Sequence, residues 1–258
     1  MYQGFNLTLD DDSVEGRWLK RQYVNYSSKH EARKASTCDS ISGYLKGGAI
    51  DAKKLQEDWF QSVKADVFIS HSHADETLAV AIAAALEDKL ELKCFVDSCV
   101  WGNSEVLLKE IDNKYCVHSN GTSYDYDQRN RSTSHVHMML QGALAKMIAR
   151  TECVIFLNTP KSMVTKDELE NETRTGSPWI YTEVLTTKLI EKQSLERPYK
   201  LLGKRTLESA GVVMDGLPPF YHDLDLEHLT PMNTSDFTRW LSTVQRGTRA
   251  LDELYGRL

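Results

Sequence analysis

No apolar run in this 258-residue chain is long enough to cross a bilayer: the longest, Leu78 to Leu86, falls well short of the ~20 residues a spanning helix needs. The start of the chain lacks the basic segment and apolar stretch of a secretory signal, so the expected location is the cytoplasm. Cysteine is scarce and unpaired in pattern. Cys38, Cys94, Cys99, Cys116 and Cys153 are odd in number and include no C-x-x-C pair, which fits reduced thiols rather than a disulfide framework or a zinc cage. Basic charge is not in excess either. With 31 Lys and Arg against 37 Asp and Glu, a net charge of −6 argues against nucleic acid as the main partner. Also missing is the glycine-rich phosphate fingerprint of dinucleotide-dependent dehydrogenases, which argues against a nicotinamide redox cofactor. Histidine pairs occur at i, i+2 (His71 with His73, His135 with His137), but that spacing makes a poor chelate, and no metal site is expected.

What is present describes an ordinary globular chain. Apolar residues make up 41% and charged residues 26%, and the length suffices for one large core with extensions or for two small domains. Residues 1 to 48 are polar and mixed, with a weak helical signal and Gly47-Gly48 as punctuation. The region 1–63 is therefore read as a partly helical N-terminal extension. Leu55, Trp59 and Val63 recur every four residues and predict a helix. Val67-Phe68-Ile69 suits a buried strand, and Leu78, Ile82, Leu86 and Leu90 mark an amphipathic helix capped by Ser72 or Asp75. A second strand is predicted over Leu92 to Val96, ending at Asp97. After a turn around Trp101-Gly102-Asn103, Leu107, Ile111 and Tyr115 mark a short helix.

Residues 117–131 read as a long polar connection carrying Tyr124, Asp125, Tyr126, Asp127, Arg129 and Arg131, which forms a lid, selects the acceptor, or is a solvated excursion. Thr133 to Arg150 has the strongest helical period in the chain, and Cys153 to Leu157 is a continuous apolar run of strand length that stops at Asn158-Thr159-Pro160. The alternation predicts an α/β fold with a central parallel sheet covered by helices on both faces. The remainder, 193–258, is read as an extension completing the domain, with a last strand at Val212-Val213 and a closing helix through Phe237, Trp240, Leu241 and Val244.

Ligands of such sheets bind past the carboxyl ends of the strands. That directs attention to Ser70–Asp75, to the segment 97–104, and to the stretch from Asn158 to Glu183. In the last of these, Ser177 is a good N-cap and Pro178 a good first helical residue, so Trp179 and Glu183 lie one turn apart on one helix face. A carboxylate beside a large ring can hold a ribose by its hydroxyls and stabilise a cationic sugar. The competing reading is a core tryptophan followed by a solvated glutamate.

Asp66-Val67-Phe68-Ile69-Ser70, Phe95-Val96-Asp97 and Trp179-Ile180-Tyr181-Thr182-Glu183 occur in an order that resembles TIR (Toll/interleukin-1 receptor-like) domains, over residues 64–192. Among bacterial members the chain looks most like the NAD-consuming TIR proteins of Thoeris antiphage defence. The resemblance implies a flavodoxin-like TIR fold and cleavage of the nicotinamide–ribose bond, with NAD+ as substrate rather than cofactor. Glu183 matches the catalytic glutamate. Ser70, His71, Ser72 and Asp75 match the first loop, which approaches the nucleotide, while Trp179 accompanies Glu183. Trp101 falls where members carry a segment that covers the site or mediates assembly, and it is a candidate either for stacking on a base or for anchoring that loop. Implied partners are a separate effector that senses the product and further copies of the chain in a homo-oligomer, with no nucleic acid and no membrane. Two other functions fit the same residues: a non-catalytic TIR adaptor acting by homotypic assembly, and a nucleoside deoxyribosyltransferase-like enzyme that also uses a glutamate.

Overall fold

The structure, a computed structural model, describes residues 1–9, 41–101, 104–163, 173–192 and 220–256. In chain order the strands are β1 (Gln3–Thr8), β2 (Leu45–Lys46), β3 (Ala49–Ile50), β4 (Val67–Ser70), β5 (Cys94–Phe95), β6 (Cys153–Asn158), β7 (Arg174–Thr175), β8 (His222–Asp223) and β9 (Thr230–Asn233). The helices are α1 (Ala52–Trp59), α2 (Glu76–Leu90), α3 (Asp97–Val100), α4 (Ser104–Tyr115), α5 (Tyr126–Arg150), α6 (Pro178–Leu189), α7 (Thr234–Leu241) and α8 (Thr248–Leu254). Five strands form the central sheet in the order β5-β4-β6-β1-β9, every pairing parallel. The other four make two small antiparallel ladders, of which β2–β3 turns through Gly47 and Gly48, both at positive φ (60° and 83°).

Each central strand distributes its residues between two apolar layers, because successive side chains of a strand point to opposite faces. Phe5, Leu7, Val67, Ile69, Cys153, Ile155 and Leu157 pack with α2, α7 and α8 on one face. Phe68, Phe95 and Val154 pack with α1, α4 and α5 on the other, and Phe156 meets Ile180 and Val184 of α6 there. This is a mixed α/β fold, with the parallel sheet flanked by helices on both faces, consistent with the flavodoxin-like class. All six residues of β6 are buried, which explains why that strand reads as an uninterrupted apolar run. Among the described residues no helix is long and apolar enough to cross a membrane.

The first strand departs from the sequence reading. Residues Gln3–Thr8, inside the segment set aside as an N-terminal extension, occupy the middle of the sheet between β6 and β9. Only Phe5 and Leu7 carry the alternation; the opposite face presents Gly4, Asn6 and Thr8, so the stretch looks polar. Gly4 lets Leu229 pack close, since a Cβ at that position would stand 2.5 Å from Leu229 Cδ2 and the leucine would have to shift. Counted from β4 the spatial order is that of a doubly wound sheet, 2-1-3-4-5, with the fourth place filled from the start of the chain.

The segment 117–131 differs too. A bridge between Val117 and Tyr124 closes a short hairpin, and α5 already begins at Tyr126, with the Asp125 carboxylate accepting from Gln128 N–H at 2.8 Å. The first two turns of α5 project into solvent and need no apolar residue, so their period is invisible in sequence. Arg129 and Ser132 both bond the buried Asp112 carboxylate, at 2.8 and 2.7 Å, and tie those turns to α4. The closing helix is present as α7, with Phe237, Trp240 and Leu241 buried and Val244 exposed beyond its end. The strand expected at Val212-Val213 lies outside the described residues.

Candidate active site

Two consecutive strand positions along the sheet, β4 and β6, send the chain to opposite sides: β5 follows β4 outward on one side, and β1 and β9 extend the sheet on the other. Loops after the strands diverge at such a point and leave a crevice at the carboxyl ends. Ser70 is the last residue of β4, and Glu183 projects to it from α6. Ser70 Oγ donates to Glu183 Oε2 at 2.5 Å, with both side chains buried.

The helix that brings the carboxylate there begins as the sequence suggests. Ser177 Oγ accepts from Ile180 N–H at 3.3 Å and Pro178 occupies the first turn. Ile180, Val184 and Thr187 are buried, so the same face that holds the helix on Phe156 carries Glu183 inward. Burial pushes the Glu183 carboxyl up to about 8 from an ordinary 4.5; the negative Asp97 adds to the rise, and the hydrogen bond from Ser70 pulls it partly back. At neutral pH the ligand-free group is therefore mostly protonated, and anything cationic brought against it favours its ionisation.

Asp97 starts α3 just past β5, where its Oδ1 accepts from Ser98 N–H at 2.7 Å and lies 3.7 Å from His71 Nε2. The buried His71 ring sets its Nδ1 3.2 Å from Ile69 O and its Nε2 3.7 Å from Asp97 Oδ1. Ser70, His71, Asp97 and Glu183 thus form one polar group at the ends of β4 and β5.

Other candidate residues have different duties. Ser72 accepts from Ala74 N–H at 3.3 Å and caps the short turn His73–Asp75 that precedes α2. Asp75 makes no cap bond to α2. Its buried carboxylate instead accepts from Thr159 Oγ1 at 2.5 Å and faces Lys161 Nζ at 3.3 Å, joining the loop after β4 to the loop after β6. Trp101 is buried against Phe60 and Phe95 and donates from Nε1 to Gln61 O at 2.8 Å, so it anchors its loop to the core rather than offering a face to a base. Trp179 is half-buried one turn before Glu183, with the His137 ring edge-on to it at 5.1 Å.

Asp97, Asn158, Thr159 and Lys161 fall just past strand ends, inside the segments the sequence marks for search, but none of them stands out there as a site residue. Nothing in their local spacing separates them from ordinary loop residues; only the sheet order brings them together. Among the described residues no three His, Cys, Asp or Glu side chains are grouped to hold a metal ion. No family model, no curated protein and no solved structure matches this chain. The arrangement itself suits the recognition of a hydroxylated, positively polarised ligand: a single buried carboxyl, a hydroxyl donor and a second negative charge at the rim.

Proposed function

We propose that the chain is an NAD+ glycohydrolase-type TIR enzyme that cleaves the nicotinamide–ribose bond and yields an ADP-ribose-derived signalling nucleotide in antiphage defence of the Thoeris kind. The observation that carries this reading is the buried Glu183 carboxyl bonded to Ser70 at the switch point of the parallel sheet. The nicotinamide ring of NAD+ is already a cationic leaving group. The bond between its nitrogen and C1′ breaks with both electrons passing to the ring, so neutral nicotinamide departs without a general acid. Glu183, ionised by the arriving positive charge, accepts from the ribose hydroxyls and stabilises the oxocarbenium-like transition state. One carboxylate suffices, unlike the pair that ordinary glycosidases need. Water, a nucleophile within the same molecule, or a separate acceptor then attacks C1′, giving ADP-ribose, a cyclic isomer or a conjugate.

This reading carries with it a cytoplasmic location, a separate effector that senses the product, and assembly of several copies as a means of control. The test is chromatography with mass spectrometry of NAD+ incubated with the protein, alone and in lysate of phage-infected cells. Nicotinamide release by the wild type, absent in Glu183→Gln, is the expected result, and the mass of the second product names the acceptor. Release unaffected by that substitution moves the site elsewhere. No release under either condition refutes the enzyme reading in favour of an adaptor. Exchange of nucleoside bases with a sugar adduct on Glu183 would make it a deoxyribosyltransferase.

A further inference from the structure

Asn158 ends β6 beside the Ser70–Glu183 pair. Its residue is 93% buried, being 7% exposed, yet among the described residues its carboxamide has no hydrogen-bond partner. Its amide atoms are not among the buried polar atoms left without a partner, so they reach the surface of the crevice, where a ligand can meet them. Its face of the sheet is fixed by alternation. Val154 and Phe156 of the same strand pack toward α5 and α6, so Asn158, two further on, belongs to the face over which Glu183 reaches. Ser70 stands opposite Phe156 in the β4–β6 register. One two-residue step along β6 and one strand spacing across therefore separate Ser70 from Asn158, or about 8 Å between Cα atoms. That interval admits one hydroxylated ring between the two side chains.

We propose that Asn158 is a substrate-binding residue whose carboxamide hydrogen-bonds the hydroxyl pair of the ribose that Glu183 also engages. This rests on the proposed NAD+ reading and deepens it. The chemistry is complementary: a carboxylate only accepts, whereas each hydroxyl of a vicinal diol both donates and accepts. Glu183 takes a proton donated by one hydroxyl, and the Asn158 –NH2 donates to the other while its carbonyl accepts back. Ser70 stays with Glu183 and orients it.

Three measurements test this on the full chain. Calorimetric titration with NAD+ and with ADP-ribose compares wild type, Asn158→Ala and Glu183→Gln. Loss of about 10- to 100-fold in affinity for both ligands is expected for Asn158→Ala. An NAD+ analogue lacking one hydroxyl of the nicotinamide ribose should bind the wild type about tenfold or more weakly than NAD+, and that discrimination should vanish in Asn158→Ala. Thermal denaturation of Asn158→Ala should give an unchanged or higher Tm, because the amide satisfies no partner inside the fold; a structural asparagine would give a lower one. Unaltered affinity in Asn158→Ala, where Glu183→Gln has lost turnover, overturns the assignment and leaves the function standing. A wild type that binds neither NAD+ nor ADP-ribose overturns both.

Discussion

Replacing Glu183 by Gln should make the protein more stable at neutral pH while removing its turnover. The carboxyl ionises at 4.5 in the unfolded chain but only at about 8 in the folded one. Below pH 4.5 both states hold the proton and the group contributes no pH dependence. As pH rises from there, the unfolded state releases its proton first, so stability falls by about 1.4 kcal/mol per pH unit until the folded group also ionises near 8, and is flat above. At pH 7 the accumulated loss is about 3 kcal/mol, from roughly 2.5 pH units. Glutamine cannot ionise and still accepts from Ser70 through its carbonyl, so it avoids the loss. For a chain of this length, ~3 kcal/mol corresponds to a rise in Tm on the order of 10 °C. The assay is denaturant unfolding of wild type and Glu183→Gln between pH 5 and 8.5, with the difference between the two plotted against pH. It should be near its minimum at pH 5 and widen toward pH 8. A difference that does not change over that range, or a glutamine variant less stable throughout, would refute the assignment of a buried, protonated carboxyl.

If turnover requires the ionised carboxylate, kcat/KM should rise with pH and level off above about 8; Asp97→Asn should move that limb to lower pH by removing a negative neighbour, and Ser70→Ala should move it higher, as initial rates across pH 5.5–9.5 would show. Phe5→Ala, which empties a buried site in the central strand β1, should cost about 3–5 kcal/mol in denaturant unfolding. Asp125→Ala removes the cap of α5 and should cost about 1 kcal/mol while leaving kcat unchanged, because that end of the helix stands in solvent. Trp101→Ala should lower Tm with a cost of about 3–5 kcal/mol, reporting its place in the core by thermal denaturation.

The parts legible in sequence are those where local pattern and environment agree. β4, β6, α2 and α6 announce themselves by apolar runs, helical period or the Ser177-Pro178 start, and they suffice to put Ser70 and Glu183 near one another. β1 does not, because half of its residues are small or polar where the chain packs closely against Leu229. The first turns of α5 do not, because a helix surrounded by water needs no stripe. Asp75 and Trp101 show a third kind of loss. Both lie where a ligand loop would be, and both are taken up by the scaffold, Asp75 by Thr159 and Lys161, Trp101 by Gln61, Phe60 and Phe95. Which polar residue near a strand end faces a ligand and which holds two loops together is decided by partners distant in the chain.

The central place of β1 also sets an order of events during synthesis. Among the strands of the central sheet, β1 is made first and its neighbours arrive last: Gln3 pairs with Cys153, and Phe5 with Thr230. Closing a loop of some 150 residues costs about 4 kcal/mol in chain entropy beyond a constant. Until β1 docks, the nascent β4–β6 half keeps an unpaired apolar edge on β6, a template for joining another chain. The strand order thus leaves the sheet to be completed late, on the edge of β6 that faces away from β4.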